Sequence, residues 1–152
     1  PLAQWVPLRD EYLQEFIRLE GRGSAAVDFC PACPKNKHAA NPTYRCRDCF
    51  FCDLVCESCC LLKHRDRPLD RIERWTGTFF ERVTLKDMGL HVQLGHSGYA
   101  TCRAPFPGYQ DFTVVDSNGL HPVAVDFCGC SNRFAAGEHR QQLIRMSWYP
   151  ST

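Results

Sequence analysis

Cysteine spacing constrains this chain more than any other feature of its sequence. Three Cys-x2-Cys pairs are followed by a histidine and an aspartate, giving eight potential ligands: Cys30, Cys33, Cys46, Cys49, Cys56, Cys59, His64 and Asp70. A Cys-x2-Cys pair lets two sulfur atoms reach one tetrahedral ion while the backbone between them turns tightly. The pattern therefore predicts two zinc sites of four ligands each. A disulfide framework and buried apolar thiols are the alternatives.

The order of the pairs predicts how they share the two ions. In cross-braced zinc modules, the first and third pairs bind one ion, and the second pair and the last two ligands bind the other. The first predicted site then has four cysteines: Cys30, Cys33, Cys56 and Cys59. The second has mixed ligands: Cys46, Cys49, His64 and Asp70. Cys52 and Cys60 are left over, and although either could replace a neighbouring ligand, we expect both to be buried structural thiols. His38 is a further alternative ligand.

A second group of potential ligands follows later in the chain. His96 and Cys102 precede a hairpin-like segment, and Cys128 and Cys130 come directly after it. A hairpin would carry the last two cysteines back to the first two residues, which predicts a third zinc site. His121 is an alternative fourth ligand. The competing interpretation is three buried thiols beside a surface histidine.

The hydrophobic pattern predicts one helix and several strands. Over residues 5–23, apolar residues recur at helical spacing before two glycines, and we expect this amphipathic helix to pack on the metal core. Two half-buried strands are predicted around the turn at residues 86–89, with Trp75 and both neighbouring phenylalanines in the core. The hairpin of residues 111–127 turns at Ser117-Asn118-Gly119 and has buried alternate residues after the turn. The segment 138–152 fits helix and strand equally.

The predicted fold class is α+β, a small zinc-stabilised domain. With 152 residues, of which 44% are hydrophobic, the chain can form one compact domain or two small ones. We predict three parts: an N-terminal amphipathic helix (1–24), a cross-braced, treble-type double zinc cluster (25–75) and an antiparallel β-rich region with the third zinc site (76–152). The start at Pro1, without an initiator methionine, predicts a fragment of a longer protein.

Cysteine content and charge limit the possible environments and partners. Eleven cysteines at metal spacing favour a reducing compartment, so we expect an intracellular, nuclear protein with no membrane partner. The net charge is +1, and three bound zinc ions with their thiolates would lower it to about −2. This balance argues against a strongly basic nucleic-acid binder.

Catalytic features are sparse in this sequence. A zinc hydrolase needs an open coordination position and a general base in a cleft, and Asp70 or Glu73 beside His64 is the only hint of one. We therefore predict no catalytic residues, no small-molecule substrate and no enzymatic activity for this fragment.

Several segments outside the cysteine pairs carry a resemblance to a known family. LEGRG, IERWTGTFFERV, VDFCGC and QLIRMSWYPST, together with YRCRDCF and LVCESCC, resemble the cysteine cluster domain of KDZ transposases in its second, CxC-like class, found mainly in fungal genomes. The resemblance covers nearly the whole chain. In that family, the domain lies upstream of an RNase H-like region that moves DNA. The resemblance implies a non-catalytic zinc domain that helps DNA targeting or assembly of the transposition machinery through DNA or protein partners.

The central cysteine cluster is also similar, more weakly, to ZZ-type and B-box zinc modules. That similarity implies the alternative function, a peptide- or protein-interaction module. Where the family pattern is expected to have a second histidine, this chain has Asp70. Carboxylates do bind zinc, but a site that includes one exchanges its ion more readily.

Overall fold

The structure, a computed structural model, describes residues 2–23, 29–34, 41–96, 100–131 and 133–151. The chain forms two compact units. The first unit comprises residues 1–63 and 70–83, and the second comprises residues 64–69 and 84–152. Helices and short strands occur in both, which confirms a small mixed helix and sheet fold with an N-terminal helix and antiparallel strands. The three-part division expected from the sequence stays a prediction.

The first unit places helices at its N-terminus and a small sheet beyond them. Its elements are α1 (Leu2–Trp5), a 3-10 turn (Val6–Leu8), α2 (Arg9–Glu20), β1 (Tyr44–Cys46), α3 (Glu57–Lys63), β2 (Ile72–Trp75) and β3 (Phe80–Val83). The three strands form an antiparallel sheet in the order β1-β2-β3. Ile72, on the central strand, is fully buried.

Helix α2 confirms the predicted element but not its predicted packing. Every residue from Leu2 to Glu20 is exposed, and Phe16 and Ile17 retain 67% and 63% of their accessible surface. A contact with the sheet comes from the end of the helix, where the Arg45 guanidinium donates a hydrogen bond of 2.6 Å to the Leu19 carbonyl. The expectation that the apolar side of the helix packs on the metal core is therefore wrong.

The aromatic residues around β3 divide between interior and surface. Phe80 is half-buried, lies 4.9 Å from the Trp75 ring and has the Arg45 guanidinium 3.6 Å above its own ring. Phe79 points to solvent and is 59% exposed, so its predicted core position is wrong. Phe79 lies in the bend that precedes β3, where its carbonyl accepts a 2.9 Å bond from the Thr76 N–H, and so it is outside the paired strand.

Within its described residues, the second unit contains two sheets and two short helices. Its elements are β4 (His91–Gln93), β5 (Pro105–Pro107), β6 (Thr113–Asp116), β7 (Gly119–Pro122), β8 (Ala124–Cys128), α4 (Arg133–Ala136) and α5 (His139–Arg145). Strand β8 lies between β4, which runs parallel to it, and β5, which runs antiparallel. Strands β6 and β7 form the predicted hairpin turn around Ser117 and Asn118, but the hairpin ends at Pro122, and residues 124–128, expected in its second strand, form β8 in the other sheet. The segment that the sequence left open, 138–152, contains a helix.

Alternation along β8 builds the hydrophobic core of the second unit. Val123, Val125 and Phe127 are each 3–4% exposed and pack with Leu94 and Leu143. Their burial confirms the alternating pattern of the sequence. In the described part of the chain, no helix is long and apolar enough to cross a membrane.

Candidate metal centres

Among the described residues, twelve side chains assemble into three groups that could each hold a metal ion. Within each group, the ligand atoms lie within 4.8 Å of one another. The three groups are Cys30, Cys33, Cys56 and Cys59; Cys46, Cys49, His64 and Asp70; and His96, Cys102, Cys128 and Cys130. The structure thus brings together the same sets that the spacing singled out, and their role as metal ligands stays a prediction.

The separations between ligand atoms can be compared with those around a tetrahedral zinc ion. With Zn–S bonds of about 2.3 Å and Zn–N bonds of about 2.0 Å, neighbouring sulfur atoms lie about 3.8 Å apart, and a sulfur and a nitrogen lie about 3.6 Å apart. Disulfide sulfur atoms would instead lie about 2.05 Å apart. Sulfur separations near 3.8 Å therefore distinguish a metal site from a disulfide framework.

The four-cysteine group has sulfur separations of the tetrahedral size. Cys33 Sγ lies 3.7 Å from Cys56 Sγ and 3.6 Å from Cys59 Sγ. Cys30 Sγ accepts a hydrogen bond of 3.2 Å from the backbone N–H of Cys56, which joins the two pairs directly. None of the eleven cysteines, all of which lie in the described residues, forms a disulfide.

Local structure explains why distant pairs meet in this group. Cys30 and Cys33 lie on one tight turn, closed by a 3.2 Å bond from the Cys33 N–H to the Cys30 carbonyl. Cys56 immediately precedes α3, and Cys59 lies in its first turn. A bridge between Tyr44 and Val55 places the residue before Cys56 beside β1. The third pair is therefore held next to the strand that carries Cys46.

Hydrogen bonds also lower the pKa of one thiol in this group. Burial raises the pKa of the Cys56 thiol, but the Ser58 hydroxyl, the Cys59 N–H and the neighbouring thiols outweigh it and lower the pKa to about 6. Burial and the same thiol neighbours raise the pKa of Cys59 well above its ordinary value. A thiolate at Cys56 beside the neutral thiol of Cys59 is a state from which a divalent cation can displace the remaining proton.

In the second group, a turn presents two sulfur atoms to a carboxylate. The N–H groups of Asp48 and Cys49 donate to Cys46 Sγ over 3.4 Å and 3.3 Å, which closes the turn around the pair. Asp70 Oδ2 lies 3.5 Å from Cys46 Sγ and 4.0 Å from Cys49 Sγ. Burial raises the pKa of the Cys46 thiol. His64 follows directly after α3, and its side chain is buried.

Ion pairs hold the turn of the second group against the sheet. The Arg71 guanidinium donates two hydrogen bonds to Asp48 Oδ1, at 2.6 Å and 3.1 Å. The backbone N–H of Arg71 donates to Asp48 Oδ2 at 2.6 Å. Glu73 accepts from Arg45 at 2.7 Å and from Arg47 at 3.2 Å. These charged groups flank the ligands and are engaged with one another, so they position the turn.

The third group lies wholly in the second unit. Cys128 Sγ is 3.9 Å from Cys102 Sγ and 3.5 Å from Cys130 Sγ, and Cys130 Sγ is 3.6 Å from His96 Nε2. These separations match a tetrahedral ion bound by three sulfur atoms and one imidazole nitrogen. The donor set therefore fits zinc in size as well as in chemistry.

The thiols of the third group differ in acidity. Burial raises the pKa of the Cys102 thiol, but the N–H groups of Ala104 and Gly129 outweigh it. With a further contribution from His96, the pKa of Cys102 falls to about 6. Burial and the neighbouring thiol of Cys130 raise the pKa of Cys128 to about 11. As in the four-cysteine group, a thiolate at one cysteine, Cys102, is favoured beside a neutral thiol, Cys128.

Two glutamine side chains that the sequence did not single out support the third group. Gln93 Oε1 accepts a 2.6 Å bond from the Cys102 N–H, and Gln142 Oε1 accepts a 2.9 Å bond from the Cys128 N–H. Gln142 is 1% exposed and also donates to the Gly137 carbonyl at 2.8 Å. Side chains that accept hydrogen bonds from the backbone of the ligand residues in this way fix the orientation of the ligands.

Two glycines permit close packing around the third group. A Cβ at Gly95, where φ is +80°, would lie 2.6 Å from Cys128 Cβ and 2.8 Å from Gln142 Oε1. A Cβ at Gly129 would lie 2.8 Å from the Ala104 carbonyl oxygen. Glycine before His96 and glycine between Cys128 and Cys130 therefore allow the ligands to converge.

The alternative ligands lie outside these groups. Cys60 is fully buried, as expected, whereas Cys52 is exposed and contacts the Cys49 carbonyl oxygen at 3.4 Å, so its predicted burial is wrong. Buried His121 contacts Asn118 Oδ1 at 2.7 Å through Nε2, and the third group contains His96 instead. His38 lies outside the described residues.

One family model matches the part of the chain that contains the third group. The family model described as a CxC2 like cysteine cluster associated with KDZ transposases matches residues 85–152. The comparison with curated proteins gives no match, and neither does the comparison with solved structures. The family match contains all four residues of the third group, and the resemblance of the earlier segments stays a prediction. From Leu85 to Thr152, the chain is thus similar to the CxC2-like cysteine clusters associated with KDZ transposases.

Proposed function

We propose that this chain is a non-catalytic zinc-binding accessory domain of a KDZ transposase-like protein, which contributes to DNA targeting or to assembly of the transposition machinery. The observation that carries the zinc-binding part is the convergence of twelve side chains into three groups of four. The family match carries the association with transposases. The proposed cofactor is three zinc ions, and the proposed location is the nucleus.

The choice of zinc follows from the donor atoms. Nine of the twelve residues are cysteines, two are histidines and one is an aspartate. Thiolate and imidazole donors in a tetrahedral arrangement are typical of zinc, whereas magnesium and calcium prefer oxygen donors at higher coordination numbers. When bound, zinc would crosslink segments that are far apart in the sequence.

A structural role for the ions fits the ligand count. A catalytic zinc site keeps one coordination position for water or substrate, but each group here offers four protein ligands. The group with Asp70 would exchange its ion most readily, because carboxylates are weaker zinc ligands than thiolates. We therefore assign no reaction to this chain.

Native mass spectrometry tests the zinc assignment. The zinc-loaded chain should carry three ions, and Cys56→Ser should carry two and lose on the order of 10 kcal/mol of folding free energy. Cys52→Ser is the matched control, since Cys52 is exposed and lies outside the three groups; it should keep three ions. Retention of three ions by Cys56→Ser would contradict the four-cysteine site.

Fluorescence anisotropy with labelled duplex DNA tests the targeting role separately. If the domain contacts phosphates, affinity should fall as salt rises from about 50 mM to about 200 mM. Removal of zinc with a chelator should abolish binding if the metal-bound fold is required. No binding at low salt would contradict a direct DNA contact and leave the protein-assembly role as the proposal.

A further inference from the structure

A groove of about 1230 Å³ runs beside strand β6 in the second unit. Its apolar lining includes Phe112, Val114, Leu143 and Trp148, which belong to the hydrophobic core of the unit or pack against it. The rings of Phe112 and Trp148 lie 6.3 Å apart. Aromatic and aliphatic walls of this kind are typical of ligand-binding surfaces.

Strand β6 is an edge strand along this groove. It pairs in antiparallel register with β7, which places Val115 opposite Leu120 and Thr113 opposite Pro122. Among the strands of the described residues, β7 is the one partner of β6. An edge strand presents backbone N–H and C=O groups that can pair with another strand.

The register determines which backbone groups face the open side. Hydrogen-bonded and non-hydrogen-bonded pairs alternate along antiparallel strands. The Val123 N–H donates to the Phe112 carbonyl at 2.9 Å, so residues 112 and 123 form a hydrogen-bonded pair. Thr113 and Val115 then occupy non-hydrogen-bonded positions, which agrees with Pro122, since proline has no N–H to donate to Thr113. The N–H and C=O groups of Thr113 and Val115 therefore point away from β7.

Thr113 and Val115 both line the groove, and Val115 is 77% exposed. Together they offer two donors and two acceptors, at positions about 7 Å apart along the strand. An extended peptide can hydrogen-bond to these donors and acceptors as an added strand. Its alternate side chains then enter the neighbouring pocket. Here that pocket is the apolar groove on the side of Val114.

Charge at the two ends of β6 indicates the composition of the occupant. Asp111 precedes the strand by two residues, Asp116 ends it, and both are exposed and line the groove. Within the described residues, neither carboxylate takes part in an ion pair. Arg140 also lines the groove, so carboxylates outnumber guanidinium groups two to one. Asp111 lies in the turn before the strand, so a segment somewhat longer than the four residues of β6, about six residues, would reach both carboxylates.

We infer that β6 binds an extended peptide as an added β-strand, with apolar side chains in the groove and a lysine or arginine near each end. A second copy of this chain fits less well. Antiparallel pairing of β6 with itself would bring Asp116 of one copy near Asp111 of the other, and like charges repel. The inference is independent of the proposed function, because no proposed metal ligand lines the groove.

The test uses the full zinc-loaded chain and two fluorescent peptides. One is acetylated and amidated Lys-Val-Thr-Val-Thr-Lys, and the control carries glutamate in place of both lysines. The basic peptide should bind at least about tenfold more tightly. It should also shift the backbone amide resonances of Thr113 and Val115, a readout that needs no variant. Equal affinity for both peptides, or no binding of the basic peptide at millimolar concentration, would overturn the inference.

Two proline variants locate the site. Val115→Pro removes an N–H that faces the groove, and proline is tolerated at such edge positions, so affinity should fall about tenfold or more. Leu120→Pro is the matched control, because Leu120 sits opposite Val115 and its N–H faces the other edge; affinity should not change. Equal losses in both variants would overturn the assignment to β6. So would self-association that Val115→Pro removes in a chain that binds no peptide.

Discussion

The two units bury different kinds of residue. Each contributes nine buried hydrophobic residues among those described, but five of the nine are cysteines in the first unit and two of the nine in the second. The first unit buries few large apolar side chains: Tyr44, Leu54, Val55 and Ile72. In the second unit, Leu94, Val125, Phe127 and others form one continuous apolar cluster.

This difference predicts a different dependence on metal. Burying a large apolar side chain contributes about 1.5–3 kcal/mol, and a core of a few such residues barely offsets the chain entropy lost on folding. We therefore expect the first unit to depend on the crosslinks that metal ions would supply, as domains below about 70–80 residues commonly do. The second unit has an apolar core that can hold its strands together, and a bound metal would add to that stability.

Metal removal should give the largest effect and should separate the two units. Trp75 reports on the first unit, and Trp148, packed against the apolar cluster, reports on the second. We expect a chelator to shift Trp75 emission to longer wavelength, as the first unit loses on the order of 10 kcal/mol per ion. Trp148 emission should shift less and at higher chelator concentration.

Single-tryptophan variants separate the emission of Trp75 from that of Trp148. Trp5→Phe with Trp148→Phe isolates Trp75, and Trp5→Phe with Trp75→Phe isolates Trp148. Trp5 is 46% exposed, so its replacement should perturb little. Coincident shifts of both fluorophores would contradict the comparison, because they would show one cooperative unit with a common dependence on metal.

Gly95→Ala should give the next largest effect, confined to the third group. The added methyl overlaps Cys128 Cβ and Ala136 Cβ, at 2.6 Å and 2.9 Å, and forces alanine to a φ of +80°. We expect a loss of about 2–5 kcal/mol in urea denaturation, from strain and overpacking together. Gly89→Ala is the control: its φ is +90°, but its Cβ would meet nothing within 4 Å, so it should lose only about 1–2 kcal/mol. Equal losses would show that packing at the third group contributes nothing.

Gln142→Leu should give a smaller loss of stability together with a loss of metal affinity. The variant leaves the buried Cys128 N–H without its acceptor, which costs about 1–3 kcal/mol. Loss of a supporting contact of this kind weakens metal binding about 10- to 100-fold. Competition with a chromophoric zinc chelator measures that change.

Gln141→Leu is the matched control for Gln142. Gln141 is the exposed neighbour, and it accepts from the Glu138 N–H at the start of α5. Its loss should weaken the helix without changing zinc affinity. If both variants reduced zinc affinity equally, Gln142 would act only through the helix.

The sequence predicts the ligand sets because their signals are local. Cys-x2-Cys spacing and the hairpin turn are readable within a few residues, and the structure brings all twelve side chains into the predicted groups. Gln142 gives no such signal, since its partner Cys128 is fourteen residues away and a glutamine in a polar run looks like a surface residue. Strand partners are equally hidden: alternation predicts β4, but not its parallel pairing with β8.

Helix α2 shows a related limit of prediction from sequence. Apolar residues at helical spacing indicate that one side of a helix prefers to be covered, but they do not say by what. In the structure the helix is held through the Leu19 carbonyl, and its apolar side chains stay in solvent. The prediction that Val123, Val125 and Phe127 are buried was correct, because a strand within a sheet is covered by neighbouring elements of the same fold.

Phe16→Gln should therefore have the smallest effect of the series. Phe16 is 67% exposed, so its replacement by a residue with good helix propensity should change the free energy of unfolding by less than about 0.5 kcal/mol. Phe127→Ala, in the apolar cluster, should cost about 3–5 kcal/mol. Thermal melting of the zinc-loaded variants measures both. A loss above about 1 kcal/mol for Phe16→Gln would show that the helix is covered in solution; sedimentation velocity would then reveal whether a second copy covers it, because the substitution would also reduce the dimer.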